Sequence, residues 1–486
     1  MKITVLFVML GISWVGISQN DADLYRFSKH YHGGSARFES MGGAFGALGA
    51  DISAVQINPA GMGRFSSSQF SFSLGPTISS TSSAFMDNST TSNKTNFSIP
   101  SIGIVLTNDL SGRNQGDMYS QFAFGINRID NYHQKTTISG QQFPSLLENF
   151  MGQAQGYAPE ELSQFFPFTT SLAWESYTIN YDPSNMSYYS SLNYGDMRMN
   201  REITTKGRTN DFFVSYSRNR MNKLYYGASL NIRTYRHEEG YKHSEELTVQ
   251  DTLFNGFDYS YSLATKGTGA NLKLGVIYLI TDGFRLGAAF HTPTLVSLED
   301  KWTANMVGNF KNGNIQIPDN LIPTGQYKYR MITPLRTVLS ASYVIALKAV
   351  ISADVEYVGY NMAKLRSTND ITYDKYDFKV ENADAKARLT SALNYRAGIE
   401  YNIQQRFFIR AGFSYYGNAY KKSENVDSKP DISYSGGLGY KINNFSLDLA
   451  YVNRQINRYY YPFAGSNTAE TKLVRNHIVV TGSFRF

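Results

Sequence analysis

Any chemistry in this chain has to come from a short list of side chains. With no cysteine among 486 residues, thiolate catalysis, thiolate metal sites, disulfides and a lipid-modified amino terminus are excluded. His133, His237 and His243 could share a rim if the chain closes on itself, and a rim histidine can act as a general base. Neither a nucleophile elbow nor a His-Glu-x-x-His pattern accompanies them, so no catalytic residue and no metal site is assigned. His30-Tyr31-His32 places two imidazoles and a phenol in one short segment, and both residue types can ligate haem iron. Haem uptake therefore stands as an alternative reading, beside the main expectation of no cofactor.

A second set of reactive groups is charged. Arg336, Asp354, Glu356, Arg396, Glu400, Arg406, Arg410, Asp448 and Arg454 recur with the period of two that puts strand residues on one face. If that face lines a lumen, mixed signs are satisfied as crosslinking pairs rather than as a selectivity ring. The net charge of +7 is modest and spread along the strands, which argues against nucleic-acid binding.

The elements that must position these groups are strands, and the last of them shows the type. Val474, Ile478, Val480, Phe484 and Phe486 alternate with Arg475, His477, Thr481, Ser483 and Arg485, and Asn476 alone breaks the pattern. An apolar face against lipid, a polar face against water and an aromatic carboxy terminus describe a transmembrane β-strand. No run of about 18 apolar residues occurs, which excludes a helical bundle and leaves the barrel, whose signal is weak per segment. The 36 Tyr and 31 Phe suit the aromatic girdles of the two membrane interfaces. A soluble sandwich would show the same alternation.

Alternation and turn signals lay out fourteen strands at 68–82, 95–107, 119–139, 206–217, 223–237, 266–281, 284–298, 328–345, 348–361, 391–402, 405–416, 432–442, 445–454 and 472–486. Connections after the even strands are short and the others are long and polar. That arrangement puts the short ones and both termini on the periplasmic side, and it favours lipid over the soluble sandwich. Residues 1–18 read as a signal peptide: Lys2, an apolar stretch to Val15, then small residues before Gln19. Residues 19–67 lack alternation and carry Gly33, Gly34, Gly42, Gly43, Gly46, Gly49, Gly61 and Gly63, so they read as a compact plug inside a barrel spanning 68–486.

With these residues in place a family likeness emerges. The stretch from Gly43 to Met62, containing Asn58-Pro59-Ala60-Gly61, resembles the amino-terminal hatch of the FadL/TodX family of outer-membrane transporters. Tyr395 to Tyr401 running into Phe408 to Tyr415, the hairpin from Ser435 to Tyr451, and His291-Thr292-Pro293 resemble family hairpins and a mid-barrel kink. The resemblance implies an all-β transmembrane antiparallel barrel of about fourteen strands with a lumenal hatch. It also implies passive uptake of hydrophobic compounds, of the long-chain fatty acid or aromatic hydrocarbon class, by hatch movement and lateral exit through the wall.

On that likeness, Asn58, Pro59, Ala60 and Gly61 form the hatch motif, and Phe38, Met41, Phe45 and Met62 are candidates for a ligand pocket. Phe143, Leu147, Phe150, Phe165 and Phe166 are candidates for an extracellular groove, at spacings that suit two short amphipathic helices. Gly125 is the candidate strand kink, because glycine favours a bulge. Expected partners are the apolar ligand, outer-membrane lipid and lipopolysaccharide, and the barrel-assembly machinery through Phe486, with the chain a monomer. A secretion-accessory barrel that binds a protein partner is a further alternative.

Overall fold

The computed structural model describes residues 21–112, 116–141, 144–190, 197–248, 253–368, 370, 375–421 and 429–486. The expected signal peptide and Phe143 lie outside these residues. What is described is a closed antiparallel transmembrane β-barrel of fourteen strands with the leader packed inside it. The first strand, Gln69–Phe85, closes the cylinder by pairing with the last, Ala469–Arg485, from Gln69 opposite Arg485 to Ala84 opposite Glu470.

The second strand is Asn88–Asp109, and the third runs as Asp117–Asn131 and then Gln134–Gln141. Strands four, five and six are Met197–Arg220, Leu224–Leu247 and Phe254–Leu279. Strand seven is broken into Phe284–His291 and Leu295–Phe310, and strand eight into Thr324–Ile332 and Arg336–Ile345. Both breaks fall on a proline, Pro293 and Pro334, which has no N–H to give a ladder. The His291-Thr292-Pro293 kink is thus a real interruption. Strands nine to thirteen begin at Ala349, Ser391, Phe407, Asp431 and Phe445.

Outward residues are apolar and exposed where lipid would lie: Phe212, Val214 and Tyr216 on strand four, Leu230 and Ile232 on strand five, Leu272, Leu274 and Val276 on strand six. In the last strand Ile478, Val480 and Phe484 face out, while Arg475, Thr481 and Ser483 are buried. Asn476 sits on the outward face without penalty, because its Oδ1 accepts from the Tyr451 hydroxyl at 2.8 Å and the Asn453 amide at 2.7 Å.

Strands four to six are much longer than the alternation indicates, at 24, 24 and 26 residues. Most of 238–265, read as loop, is therefore strand, and 197–205 belongs to strand four. The cause is an inversion of polarity. Above the lipid belt Met197, Met199, Ile203, Phe257, Tyr259 and Tyr261 point inward against helices of the long connection, and charged residues point out. A pattern keyed to apolar residues on the outer face stops where the wall leaves the membrane.

That connection carries a helix, Leu146–Ala154, and two shorter ones, Leu162–Phe165 and Thr170–Glu175, packed over the mouth. The Ser145 hydroxyl caps the longest of them by accepting from Leu147 N at 3.1 Å. Glu245 of strand five clamps the same turn, accepting from Leu146 N at 2.9 Å and, on its other oxygen, from the Ser145 hydroxyl, with His243 Nε2 2.9 Å from the oxygen that takes Leu146 N. His243, Glu245 and Ser145 are thus a structural clamp, with the serine bonded to the acid rather than to the histidine.

Candidate functional site

The hatch crosses the lumen from the long-loop end to the short-turn end. It begins with a helix, Asp21–Ser28, whose Leu24, Tyr25 and Phe27 pack against Tyr235, Tyr360 and Tyr420, and whose Asp21 accepts from Arg388 at 2.9 Å. A second helix, Ala36–Ser40, is capped by Ser35, which accepts from Phe38 N at 3.1 Å. Two 3-10 turns follow, Ile52–Gln56 capped by Asp51 and Pro59–Arg64 capped by Asn58. Arg64 then reaches the Tyr225 hydroxyl at 2.7 Å, near the short-turn rim.

The Asn58-Pro59-Ala60-Gly61 step has a definite mechanical role. Asn58 Oδ1 accepts from Ala60 N at 3.0 Å, and Pro59 occupies the first helical position, where its missing N–H costs nothing. Asn58 Nδ2 donates to Gly46 O at 2.7 Å within the hatch and to Val276 O and Ala288 O of strands six and seven at 3.1 and 3.4 Å. The fit requires Gly275, where a Cβ would stand 1.8 Å from Asn58 Oδ1. Gly61 O receives Ala50 N at 3.0 Å, closing the hatch on itself.

Phe38, Met41, Phe45 and Met62 are all fully buried and pack with Val105, Ala123, Phe213, Ala289 and Val338 of the wall. They weld the hatch to the barrel. Ionic ties reinforce the weld. Arg37 of the hatch donates to Glu400 at 2.8 and 3.0 Å, Glu400 also accepts from Arg410 at 2.6 Å, and Arg410 donates to Asp448 at 2.7 Å. Glu356 is held between Arg336 and Arg396, both at 3.0 Å. Lys29 bonds Asp431, which Arg458 also approaches at 2.8 Å. The lumen charges are therefore paired as crosslinks. Two of the nine differ: Arg406 lies exposed in the turn before strand eleven, and Arg454 bonds the Ser433 hydroxyl at 3.1 Å and the Tyr31 carbonyl at 3.3 Å instead of a carboxylate.

His30, Tyr31 and His32 lie inside the lumen, buried, and not on an exposed segment. His30 Nε2 is 2.8 Å from Arg233, the two imidazoles meet edge to face at 5.6 Å, and the Tyr31 hydroxyl donates to Asp431 at 2.5 Å. Burial, with Arg336 and Arg233 near His30 and Arg396 near His32, holds both rings well below the usual imidazole range.

The wall itself is broken beside the hatch. Strand two pairs with strand one along its length but with strand three only from Asp109 up to Ser101 opposite Asn127. Above that point Pro100 has no N–H to offer, and strand three slips register against strand four between Arg128 and Asp130. Its Ile129 carbonyl turns inward and accepts from Tyr31 N of the hatch at 3.2 Å. Gly33 lies so near that a Cβ there would meet Arg128 O at 2.9 Å. Above the break, strands two and three touch only through side chains, such as Asn88 Nδ2 to Ser139 O at 2.7 Å and Ser92 Oγ to Thr137 Oγ1 at 2.8 Å.

Gly125 is not the kink. It sits in an unbroken ladder between Gly103 and Phe213, and the break falls at Arg128 to His133 because the hatch, not a glycine, captures the strand. The cavity at the break is about 50 Å³ and is bordered by Tyr31, Glu39, Pro100, Arg128, Arg475 and His477. Small-molecule sites start at roughly 300 Å³, so the seated hatch leaves no room for a ligand there. Pro100 inside a strand pattern and the Asp130-Asn131 pair were the signals that mark this break in the sequence.

Of the groove candidates, Leu147 and Phe150 are buried in the cluster under the loop helices. Phe165 and Phe166 are half-buried, each 5.2 Å from the Tyr157 ring. Leu147 and Phe150 thus pack under the loop helices, while Phe165 and Phe166 keep part of their rings exposed.

No family model and no curated protein matches the chain. Solved structures do. The toluene transporter TodX of Pseudomonas putida aligns over 94% of this chain and 99% of its own with a TM-score of 0.53 and 14% identity. A FadL homologue of Pseudomonas aeruginosa aligns over 94% and 100% at 0.55 and 12%, and the toluene transporter TbuX of Ralstonia pickettii over 94% and 99% at 0.50 and 16%. Fourteen strands, a leader folded into the lumen and end-to-end alignment together give this chain the fold of the FadL/TodX barrels.

Proposed function

We propose that this chain belongs to the FadL/TodX family and is an outer-membrane channel for passive uptake of hydrophobic small molecules, of the long-chain fatty acid or aromatic hydrocarbon class, without catalysis. The observation that carries the reading is the break between strands two and three with the hatch bonded to it through Tyr31 and Ile129. An apolar solute gains nothing from a water-filled exit on the far side, whereas a gap in the wall delivers it to lipid without crossing bulk water. Because the cavity at the break is small while the hatch is seated, passage there needs the hatch to shift, and the contact between hatch and break couples the two events.

The test fills the gap. Ser98 is buried at its edge on strand two, and Ser98→Trp should abolish uptake of a labelled fatty acid or monoaromatic hydrocarbon by cells. Heat-modifiable gel mobility should still report a folded barrel. Undiminished uptake by a folded Ser98→Trp barrel would remove the lateral route.

A further inference from the structure

Outside the lumen the wall carries a row of charges that uptake does not use. On strands four, five and six, Phe212 stands opposite Ile232 and Ile232 opposite Ala270, at the upper edge of the lipid belt. Two residues further up lie Asn210, Thr234 and Thr268, and two further again Arg208, Arg236 and Lys266, also in direct cross-strand register. Residues two apart share a face, and Arg208, Arg236 and Lys266 are all exposed on the outer one. Directly opposed side chains have Cβ atoms about 5 Å apart, where like charges repel.

The surroundings offset the row only in part, with two carboxylates, Glu238 and Glu299, set against Arg236, Lys206 and Lys266. Lys206 extends it on strand four, and Lys94 lies within electrostatic reach of both Lys135 and Lys206. Two nearby carboxylates are already engaged, Glu238 with Arg236 at 2.7 Å and Glu202 with Lys135 at 3.0 Å. Glu299 stands opposite Lys266 but bonds Gln326 instead. Among the described residues no carboxylate pairs with Lys94, Lys206, Arg208 or Lys266.

Height decides what would cover these charges. Four residues of strand between Phe212 and Arg208 rise about 13 Å along the chain, or roughly 10 Å along the barrel axis once strand tilt is allowed for. That is headgroup depth, on the long-loop side, at the level where the wall inverts its polarity. We propose that Arg208, Arg236 and Lys266, flanked by Lys206, form a docking site for the phosphates of an outer-leaflet lipid headgroup. Guanidinium groups suit phosphate because they donate two parallel hydrogen bonds. The proposal rests on the barrel lying in a membrane and is independent of which solute passes through it.

The purified barrel in neutral detergent would be titrated with bisphosphorylated lipid A, the same glycolipid without phosphates, and inorganic phosphate, with binding read by native mass spectrometry. The phosphorylated lipid should bind and the phosphate-free one should not. R208Q/R236Q/K266Q should bind on the order of 100-fold more weakly, since each cation near a lipid surface contributes about a fivefold factor. R208K/R236K should keep most of the affinity, and K223Q/K348Q at the short-turn end should change nothing. Equal binding of the phosphate-free lipid, or an unaltered triple variant, overturns the proposal. Inorganic phosphate binding as tightly as the lipid also overturns it. Should the triple variant fold poorly by gel mobility, the wild type decides: affinity that does not fall between about 50 and 500 mM salt is incompatible with phosphate docking. None of these readouts uses uptake, so failure here and failure of the channel reading are separately visible.

Discussion

Replacing Asn58 tests whether one side chain holds the hatch in its seat. Asn58 is 1% exposed and serves four partners: it accepts from Ala60 N and donates to Gly46 O, Val276 O and Ala288 O. In Asn58→Ala the lost cap costs about 1 kcal/mol, and the buried Gly46 carbonyl left without its donor costs about 1–3 kcal/mol. Val276 and Ala288 are cross-strand neighbours in the barrel ladder and are not counted. Hatch seating therefore weakens by about 2–4 kcal/mol, a factor of roughly 30 to 1,000. The chain has no cysteine, so a single reporter is clean, and Val55→Cys places a thiol at a fully buried hatch position. Maleimide labelling of that thiol, limited by hatch opening, should accelerate by the same factor in Asn58→Ala while the barrel's melting temperature holds. Asn58→Asp should label at least as fast despite its shape, because it keeps the cap but aims carboxylate oxygens at three carbonyls. Acceleration below about threefold, or equal loss of barrel stability, would refute the pinning argument.

Three more outcomes use the same reporter. Gly275→Ala should expose Val55→Cys as Asn58→Ala does, since its Cβ would fall on Asn58 Oδ1; unchanged labelling would mean the hatch tolerates the shift. Glu400→Gln takes the anion from half-buried Arg37, while Arg410 keeps Asp448, and should weaken seating by about 1.5–3 kcal/mol, read as faster hatch labelling. Acid should loosen the hatch, because His30 and His32 are held neutral when seated but protonate near pH 6.5 once released. Their contribution is therefore complete above about pH 6.5 and is lost as pH falls below it, by up to about 1.4 kcal/mol per pH unit for each ring. Labelling relative to an exposed cysteine at Thr91 should rise between pH 7.5 and 5.5, and a fall would reverse the assignment.

Much of the candidate site was legible, and the illegible part has a common cause. Asn58-Pro59-Ala60-Gly61 could be recognised because a cap followed by proline is a local device. The lumen charges from Arg336 to Arg454 could be placed because a strand's period is local too. Phe38, Met41, Phe45 and Met62 could be marked as candidates but not given partners, and in the structure they pack between hatch and wall. Gly125 drew attention as a glycine in strand three, whereas the break lies at Ile129, whose carbonyl goes to Tyr31.

By itself the sequence determined the class of fold, its strand number and its lumenal plug. Lipid imposes apolar residues at every second position, and turns and caps are written in neighbouring residues. Only the tertiary structure decided where the wall's ladder breaks, how far strands four to six rise above the membrane, and which aromatics pack over the mouth. Each of those depends on a partner distant in the chain, and a hydrogen bond or an apolar contact carries no mark of its partner until the chain has closed.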